Sequence, residues 1–153
     1  MREYKFRGQR LDKSELVNGD LIHGVGPKNG RAYILPNKIN LAYVKDCHPL
    51  DGVEVIPESV GQYTGLKDKN GKDIYHKDIV QDDDGKTRTI EWNNQNAQFY
   101  MKTENRYKEF IDCGQSQSDG PVHCDTIEII GNIYENPELL TTKLNKTLSG
   151  DKK

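Results

Sequence analysis

Apolar and polar residues alternate along much of this chain with a period of two, which places successive side chains on opposite faces of a β-strand. In the opening "REYKFRGQRLD", Tyr4 and Phe6 share one face while Lys5 and Arg7 share the other. The alternation returns in "TRTIEW" and "AQFYM", and "RAYILP", "NLAYV" and "GVEVI" add short β-prone runs. Because Gly, Pro and Asn separate these runs, the pattern predicts a mainly β fold with little helix.

Asn-Gly and Asp-Gly pairs mark the predicted hairpin turns, since these residues tolerate positive φ in a two-residue turn. The pairs begin at Asn18, Asn70 and Asp84, and the last leads into "TRTIEW". "TIEIIGNIY" carries apolar residues on both faces, which predicts burial on two sides, as in the closing strand of a small barrel. "NPELL" predicts one short helix, with Asn136 at the N-cap and Pro137 at the first helical position.

The organisation along the chain follows from these elements and from its length of 153 residues, enough for one domain or two small subdomains. We expect an N-terminal β-rich subdomain over residues 1–58 and a small-barrel subdomain over residues 59–140. Residues 141–153 lose the alternating pattern and gain lysine, which predicts a mobile tail. "ENRYKEFIDC" is compatible with either a helix or a strand.

Charge and composition indicate where the protein acts and which partners it lacks, but they say little about its activity. Charged residues make up 30% of the chain but the net charge is only −2, so no global field would hold nucleic acid or an anionic membrane. No apolar run approaches the roughly 18 residues of a membrane span, and the opening has no apolar signal core. Three widely spaced cysteines favour reduced thiols. We therefore expect a cytoplasmic protein with no membrane partner.

The glycine- and aspartate-rich stretch "GQYTGLKDKNGKDIYHKDIV" invites a calcium or phosphate interpretation, and residue spacing excludes both. A calcium loop counted from Asp68 or from Asp82 has a lysine at its fifth position, where an oxygen ligand is needed. A phosphate loop needs four residues between its glycines, but five separate Gly65 and Gly71, and an aspartate follows Lys72. The stretch therefore predicts a hairpin with solvated lysines.

The sequence gives weak support for a metal site or for a nucleophilic active site. Zinc would need the Cys-His pairs at 47–48 and 123–124, with Cys113 nearby, to meet in space. Adjacent strand residues point to opposite faces, so we expect buried thiols and surface imidazoles instead. No serine lies in a G-x-S-x-G elbow. A hydrolase using Cys124 with His48, or the acidic turn "QDDDGK", remains an alternative. We expect no enzyme, no metal and no cofactor.

A locally basic N-terminal strand is the strongest surface candidate. Its cations, with Tyr4 and Phe6 beside them, could track a nucleic-acid backbone and stack bases. The alternative is an edge strand whose charges prevent pairing with neighbouring molecules. That alternative also explains why the aromatic and cationic side chains fall on opposite faces. The candidate nucleic-acid residues are Arg2, Lys5, Arg7 and Arg10.

Three blocks carry a resemblance that covers the chain from Lys5 to Leu140. They are "KFRGQRLD" with "NGDLI", then "ESVGQYTGLKDKNGKDIYHKDIV", then "IEIIGNIYENPELL". In them the chain resembles the YopX family, proteins of Bacillus prophages and other phages. The resemblance implies a mainly β protein with an SH3-like barrel in the C-terminal part, and it assigns no catalytic or ligand residue. The centre and the segment between Trp92 and Thr126 are variable in this resemblance.

Two positions depart from the family pattern. Leu16 stands where the family often has an aromatic residue, and Lys77 stands where it often has glycine before an aspartate. A lysine there implies that the turn does not strictly require positive φ. The first functional hypothesis is a phage-encoded, non-enzymatic binding module for a host or phage protein. Nucleic-acid binding through the basic strand is the second, and a hydrolase the third.

Overall fold

The computed structural model describes residues 3–23, 30–36, 52–102, 108–110 and 124–141. The chain forms two compact units, Met1–Gly65 and Leu66–Lys153, so the boundary lies inside the strand Gly61–Lys67. The segment "NLAYV" and the predicted tail beyond residue 141 lie outside the described residues. In the part of the chain described, no helix is long and apolar enough to cross a membrane.

The described elements are eleven strands, one four-residue α-helix and two short 3-10 helices, at Pro57–Ser59 and Cys124–Thr126. The strands and the helix are β1 Phe6–Gln9, β2 Leu16–His23, β3 Ala32–Pro36, β4 Val53–Val55, β5 Gly61–Lys67, β6 Asp73–Tyr75, β7 Asp78–Asp82, β8 Thr87–Asn93, β9 Gln98–Lys102, β10 Lys108–Phe110, β11 Ile127–Asn132 and α1 Glu138–Thr141.

The strands form two antiparallel sheets, in the orders β4-β3-β2-β1-β5-β6 and β10-β9-β8-β7-β11. This confirms the mainly β prediction, and α1 is the short helix predicted at "NPELL". β10 resolves the ambiguity of "ENRYKEFIDC" over residues 108–110 in favour of a strand. Both sheets are open among the described strands, with β11 at an edge of its sheet, so the SH3-like barrel is not confirmed.

The first unit folds around a small apolar core of Ala32, Ile34 and Val55, against which four half-buried side chains pack: Phe6, Val17, Leu21 and Val60. Two backbone hydrogen bonds join the end of β1 to β4 and the residue after it. The Ile56 N–H donates to the Gln9 carbonyl at 2.9 Å, and the Leu11 N–H donates to the Glu54 carbonyl at 3.0 Å. These bonds satisfy backbone groups that an exposed strand edge would leave to water.

The interpretation of β1 as a charge-guarded edge strand is wrong. β1 pairs with β2 from Phe6 to Gln9 and with β5 at Phe6 and Arg7, so it lies inside the sheet. Arg7, the cation within β1, therefore lies on a strand that is paired on both sides. Sequence alternation reports which side chains share a face, but it carries no information on how many neighbours the strand has.

The turn predicted at Asn18-Gly19 is also wrong, because both residues lie within β2. A Cβ added at Gly19 would sit 1.9 Å from the Leu35 carbonyl oxygen, which no side chain could accommodate. Gly19 therefore serves the close approach of β2 and β3 and not a tight turn. The positions of the other two predicted turns are confirmed, with φ of 79° at Gly71 and 73° at Gly85, but Asn70 and Asp84 do not take positive φ, so neither is the two-residue form.

The second unit has its own core on one face of its five-stranded sheet. Residues of β7, β8, β9 and β11 supply most of it, and Ile74 of β6 supplies the rest. The buried members are Ile74, Val80, Ile90, Phe99, Met101, Ile127 and Ile129, with Leu66 and Cys124 packed against them.

The β6–β7 turn differs from its prediction, because Lys77 has a φ of 74°. Two backbone hydrogen bonds hold it there: its N–H donates to the Ile90 carbonyl at 2.7 Å, and its carbonyl accepts the Ile133 N–H at 3.1 Å. The turn does require positive φ. The surrounding strands impose a conformation that a residue with a Cβ adopts at a cost of about 1–2 kcal/mol.

Replacing Lys77 by glycine is expected to raise the free energy of unfolding by about 0.5–1 kcal/mol, since glycine has no left-handed penalty but loses more chain entropy on folding. Urea denaturation measures the change. Lys72→Gly is the matched control, because Lys72 lies in the neighbouring turn without positive φ. The control should lose about 0.5–1 kcal/mol. Equal losses in the two variants would contradict this account of the turn.

Candidate functional site

The hairpin between β5 and β6 is built around the carboxylate of Asp68, which is 5% exposed. Its Oδ1 accepts the N–H groups of Asn70 and Lys72, each at 2.9 Å. Its Oδ2 accepts the Ile129 N–H of β11 at 3.1 Å. Three backbone N–H groups satisfy this buried carboxylate, so its hydrogen-bonding capacity is used within the fold. Asp68 therefore anchors the turn to β11.

Lys69 strengthens the same junction from the backbone and from the side chain. Its N–H donates to the Ile127 carbonyl at 3.0 Å. Its Nζ lies 3.0 Å from a Glu128 carboxylate oxygen and 3.8 Å from one of Asp83. The charged residues of this turn thus form hydrogen bonds and ion pairs with other residues of the second unit. Among the described residues, no group of three His, Cys, Asp or Glu side chains is placed to hold a metal ion.

The segment after β11 is held in a comparable way by Asn132, which is buried. Its Oδ1 accepts the N–H groups of Tyr134 and Glu135 at 2.9 and 3.0 Å, and its Nδ2 donates to the Glu135 carboxylate at 2.6 Å. A Cβ at Gly131 would lie 2.5 Å from the Asn136 side-chain oxygen, so glycine is needed for this packing. The "GNIYENPELL" block is therefore explained by local structure.

The acidic turn "QDDDGK" contains a buried ion pair between Asp82 and Arg88. The Asp82 carboxylate also accepts the Lys86 N–H at 2.7 Å. Burial raises the pKa of Asp82, but the hydrogen bonds from Lys86 and Arg88 outweigh it, so its pKa lies below the ordinary 3.8. This carboxylate is committed to the hairpin.

The predicted nucleic-acid residues are only partly brought together. Lys5 Nζ lies 3.0 Å from Glu3 and 5.2 Å from the centre of the Tyr63 ring. Arg10 donates two hydrogen bonds to Asp12, at 2.8 and 2.7 Å, and lowers the pKa of that carboxyl. Arg7 lies in β1, and Arg2 lies outside the described residues.

The predicted thiol and imidazole cluster is described at a single position. Cys124 is a free, half-buried thiol that packs against the core of the second unit. The other four members, Cys47, His48, Cys113 and His123, lie outside the described residues.

A different surface of the second unit combines exposed aromatic area with ionisable groups. Trp92 of β8 is 38% exposed, and its ring meets the ring of Phe99 edge-on at 4.8 Å between centroids. The His76 ring lies 6.2 Å from that of Phe99, and its Nε2 lies 3.6 Å from a Glu91 carboxylate oxygen. We call this set, Trp92, Phe99, His76 and Glu91, the Trp92 surface.

Three cationic or ionisable side chains act on the carboxylate of Glu91. The imidazole of His76 is the largest cause of a lowered pKa at Glu91, burial opposes it, and the positive charges of Lys102 and Lys77 add to the lowering. Lys77 Nζ also lies 5.5 Å from the centre of the Tyr134 ring, at the distance of a cation–π contact. Backbone strain at Lys77 adjoins this surface, and strained residues concentrate at functional sites.

The sequence did not single out this surface. Alternation in "TRTIEW" places Trp92 on the same face as Ile90, which predicts burial, yet Ile90 is buried and Trp92 is 38% exposed. The informative signal is the register of β8 and β9, which places Trp92 opposite Phe99. His76 enters from the β6–β7 turn, and no local pattern predicts that contact.

Comparison with known proteins bears on the three sequence blocks. The family model described as "YopX protein" matches residues 5–141, which is nearly the whole chain. The chain belongs to the YopX family. Among solved structures, the protein EF1440 from Enterococcus faecalis is similar, with 25% identity and a TM-score of 0.49, over 92% of this chain and 99% of that one. No curated protein matches.

In this YopX family member, the second and third blocks coincide with the Asp68 turn, the Lys77 turn and the Gly131–Asn136 packing. Those residues are accounted for by hydrogen bonds and close contacts within the second unit. His76 belongs to the second block, whereas Glu91, Trp92 and Phe99 lie beyond it. The Trp92 surface therefore combines a position of the family pattern with positions outside it.

The pKa of Glu91 is expected to rise toward its ordinary 4.5 in a His76→Phe variant, because the largest cause of the lowering is removed while a ring is kept beside Phe99. Carboxyl-carbon NMR titration measures it. Lys102→Met, which removes a smaller cause, should raise the pKa less.

The lowered pKa of Glu91 also determines how the stability of the protein changes with pH. Glu91 stabilises the fold above about its ordinary pKa, and this contribution is lost as pH falls through the lowered value. The wild-type protein should therefore lose more stability on acidification than His76→Phe does. Identical acid profiles, or a larger pKa rise in Lys102→Met, would contradict the assignment of His76 as the main partner.

Proposed function

We propose that this YopX family member is a phage- or prophage-encoded, non-enzymatic binding module, and that it contacts a host or phage protein through the Trp92 surface. One observation supports this most: Trp92 is 38% exposed, and its ring is held by an edge-on contact with the ring of Phe99. Tryptophan is enriched at the centres of protein interfaces, where it contributes a large contact area at little cost in side-chain entropy.

A rigid aromatic anchor favours binding because little freedom is left to lose when the partner docks. Trp92 pairs with Phe99 across neighbouring strands, and Phe99 itself is buried in the core. The anchor is thus presented by a sheet and not by a loop, which keeps its position well defined. His76, whose ring lies 6.2 Å from that of Phe99, supplies a polar group for the rim of such an interface.

The non-enzymatic part of the proposal is supported by how the carboxylates are used. Asp68 accepts three backbone N–H groups, Asp82 pairs with Arg88, and Glu91 lies against His76. Each is committed to the fold, whereas a general acid or base must be free to exchange protons with a substrate. An SH3-like relationship of the second unit belongs to the same proposal, motivated by its five antiparallel strands.

Nucleic-acid binding through the N-terminal strand stays a prediction, and the geometry favours it less. Lys5 and Arg10 already lie against Glu3 and Asp12, so phosphate contacts would have to displace those carboxylates. Single-stranded DNA binding that weakens steeply with salt and fails in Arg7→Glu would support it.

Trp92→Ala is expected to lower affinity for the protein partner by about thirtyfold or more, as truncation of an interface hot spot does, while the fold is retained. Partners are captured on immobilised protein from phage-carrying cells and their dissociation constants are measured. Leu11→Ala is the matched control, because Leu11 is 62% exposed in the first unit.

The control should retain the partner, and circular dichroism should show both variants folded. Loss of the partner in both variants would mean that apolar exposure alone drives capture. Retention of full affinity in Trp92→Ala would contradict the proposed surface.

A further inference from the structure

We infer that the Trp92 surface and the turn between β8 and β9 together recognise an uncharged polar protein segment that carries one apolar residue, an inference that rests on the proposed function. The apolar residue would pack on the exposed indole of Trp92. The amide side chains of the turn would hydrogen-bond to the peptide groups on either side of that residue.

The β8–β9 turn, residues 94–97, lies at the same end of its hairpin as the aromatic pair. The register pairs Trp92 with Phe99 and Asn93 with Gln98, so the turn begins two residues after Trp92. Because a strand advances about 3.4 Å per residue, the Cα atoms of Trp92 and Asn94 are separated by at most about 7 Å. A segment of a few residues laid over Trp92 is therefore long enough to reach the turn.

The β8–β9 turn offers amide groups and no charge. Its four residues are all exposed: Asn94, Gln95, Asn96 and Ala97. None of the residues from Trp92 to Phe99 is charged. A side-chain amide has N–H donors and a carbonyl acceptor, as a peptide group does, so the two can pair. An ionic side chain would lose hydration at this turn without meeting an opposite charge.

The two neighbouring hairpin turns of the second unit are charged. Residues 68–72 of the β5–β6 turn include three charged side chains, and so do residues 83–86 of the β7–β8 turn. Charged side chains are the usual means by which a protein surface stays soluble. Asparagine-rich loops with aromatic anchors are instead typical of antibody paratopes, where the amides supply adaptable hydrogen bonds. The composition of the β8–β9 turn therefore favours recognition of an uncharged partner.

The backbone of this turn is fixed before a partner arrives. Asn93 is buried, and its side-chain oxygen accepts the Gln95 N–H at 2.9 Å. Ala97 has a φ of 51°, in the left-handed region that residues with a Cβ rarely adopt. Strained positions of this kind concentrate at binding sites, and a pre-formed loop has little freedom left to lose on binding.

The chain supplies its own probe, because Trp92 is the single tryptophan. Three synthetic peptides of equal length are titrated while Trp92 fluorescence is followed. Each has one central leucine, flanked by alternating serine and asparagine, by glutamate, or by lysine. The neutral peptide should give a saturable change and bind at least about tenfold more tightly than either charged peptide, which is the effect of about one hydrogen bond.

Ionic strength gives a second readout on the unmodified protein. The affinity for the neutral peptide should not fall when the ionic strength is raised from about 0.1 to about 1 M, since screening weakens only interactions between charges. A steep loss of affinity over this range would overturn the inference.

Removal of the turn amides locates the effect. A triple variant that combines Asn94→Ala, Gln95→Ala and Asn96→Ala should lower the affinity for the neutral peptide by about tenfold or more. Asn70→Ala is the matched control, because Asn70 is an exposed amide of the β5–β6 turn, and it should bind the peptide as the wild type does. Circular dichroism confirms that both variants fold.

The outcomes separate this inference from the proposed function. If Trp92→Ala loses the captured partner but the triple variant binds the neutral peptide as well as the wild type does, the inference is overturned and the proposed function stands. Tighter binding of either charged peptide, or no saturable change with the neutral one, also overturns it. Tighter binding of maltohexaose than of the neutral peptide overturns it in favour of a carbohydrate ligand.

Discussion

One buried carboxylate, that of Asp68, holds the second unit together at its most distinctive turn. It accepts two N–H groups of its own hairpin and a third from Ile129, a residue 61 positions further along the chain. Buried N–H groups need an acceptor, and here a single side chain supplies it for the turn and for β11. The Lys69 backbone extends the same contact to Ile127. Local turn chemistry and long-range topology therefore depend on the same atoms.

This dependence separates the family pattern from the proposed contact surface. The distinctive residues of the second and third blocks make hydrogen bonds and close contacts inside the fold. Asp68, Asn132 and Gly131 are examples. Trp92 differs from them: it is 38% exposed, and its ring meets the core residue Phe99 edge-on. A scaffold fixed by buried polar groups leaves such a surface position free to serve recognition.

Much of the fold is readable from the sequence, because alternation reports strand faces and Asn-Gly or Asp-Gly reports turns. The hairpins at Gly71 and Gly85 follow these local rules. Asn18-Gly19 does not, because Leu35 of another strand dictates its glycine, and Lys77 adopts positive φ because Ile90 and Ile133 hold its backbone. The Trp92 surface was unreadable for the same reason: it joins side chains from a turn and two strands whose register no local pattern encodes.

The most direct measurement is the free energy of unfolding of Asp68→Asn, combined with amide hydrogen exchange at Ile129. The asparagine oxygen can still accept from Asn70 and Lys72, but its amide group cannot accept the Ile129 N–H. The structure predicts a loss of about 1–3 kcal/mol and faster exchange at Ile129, with partner affinity retained while the variant is folded. Unchanged stability and exchange, accompanied by lost partner binding, would contradict it and make the signature turn itself the functional site.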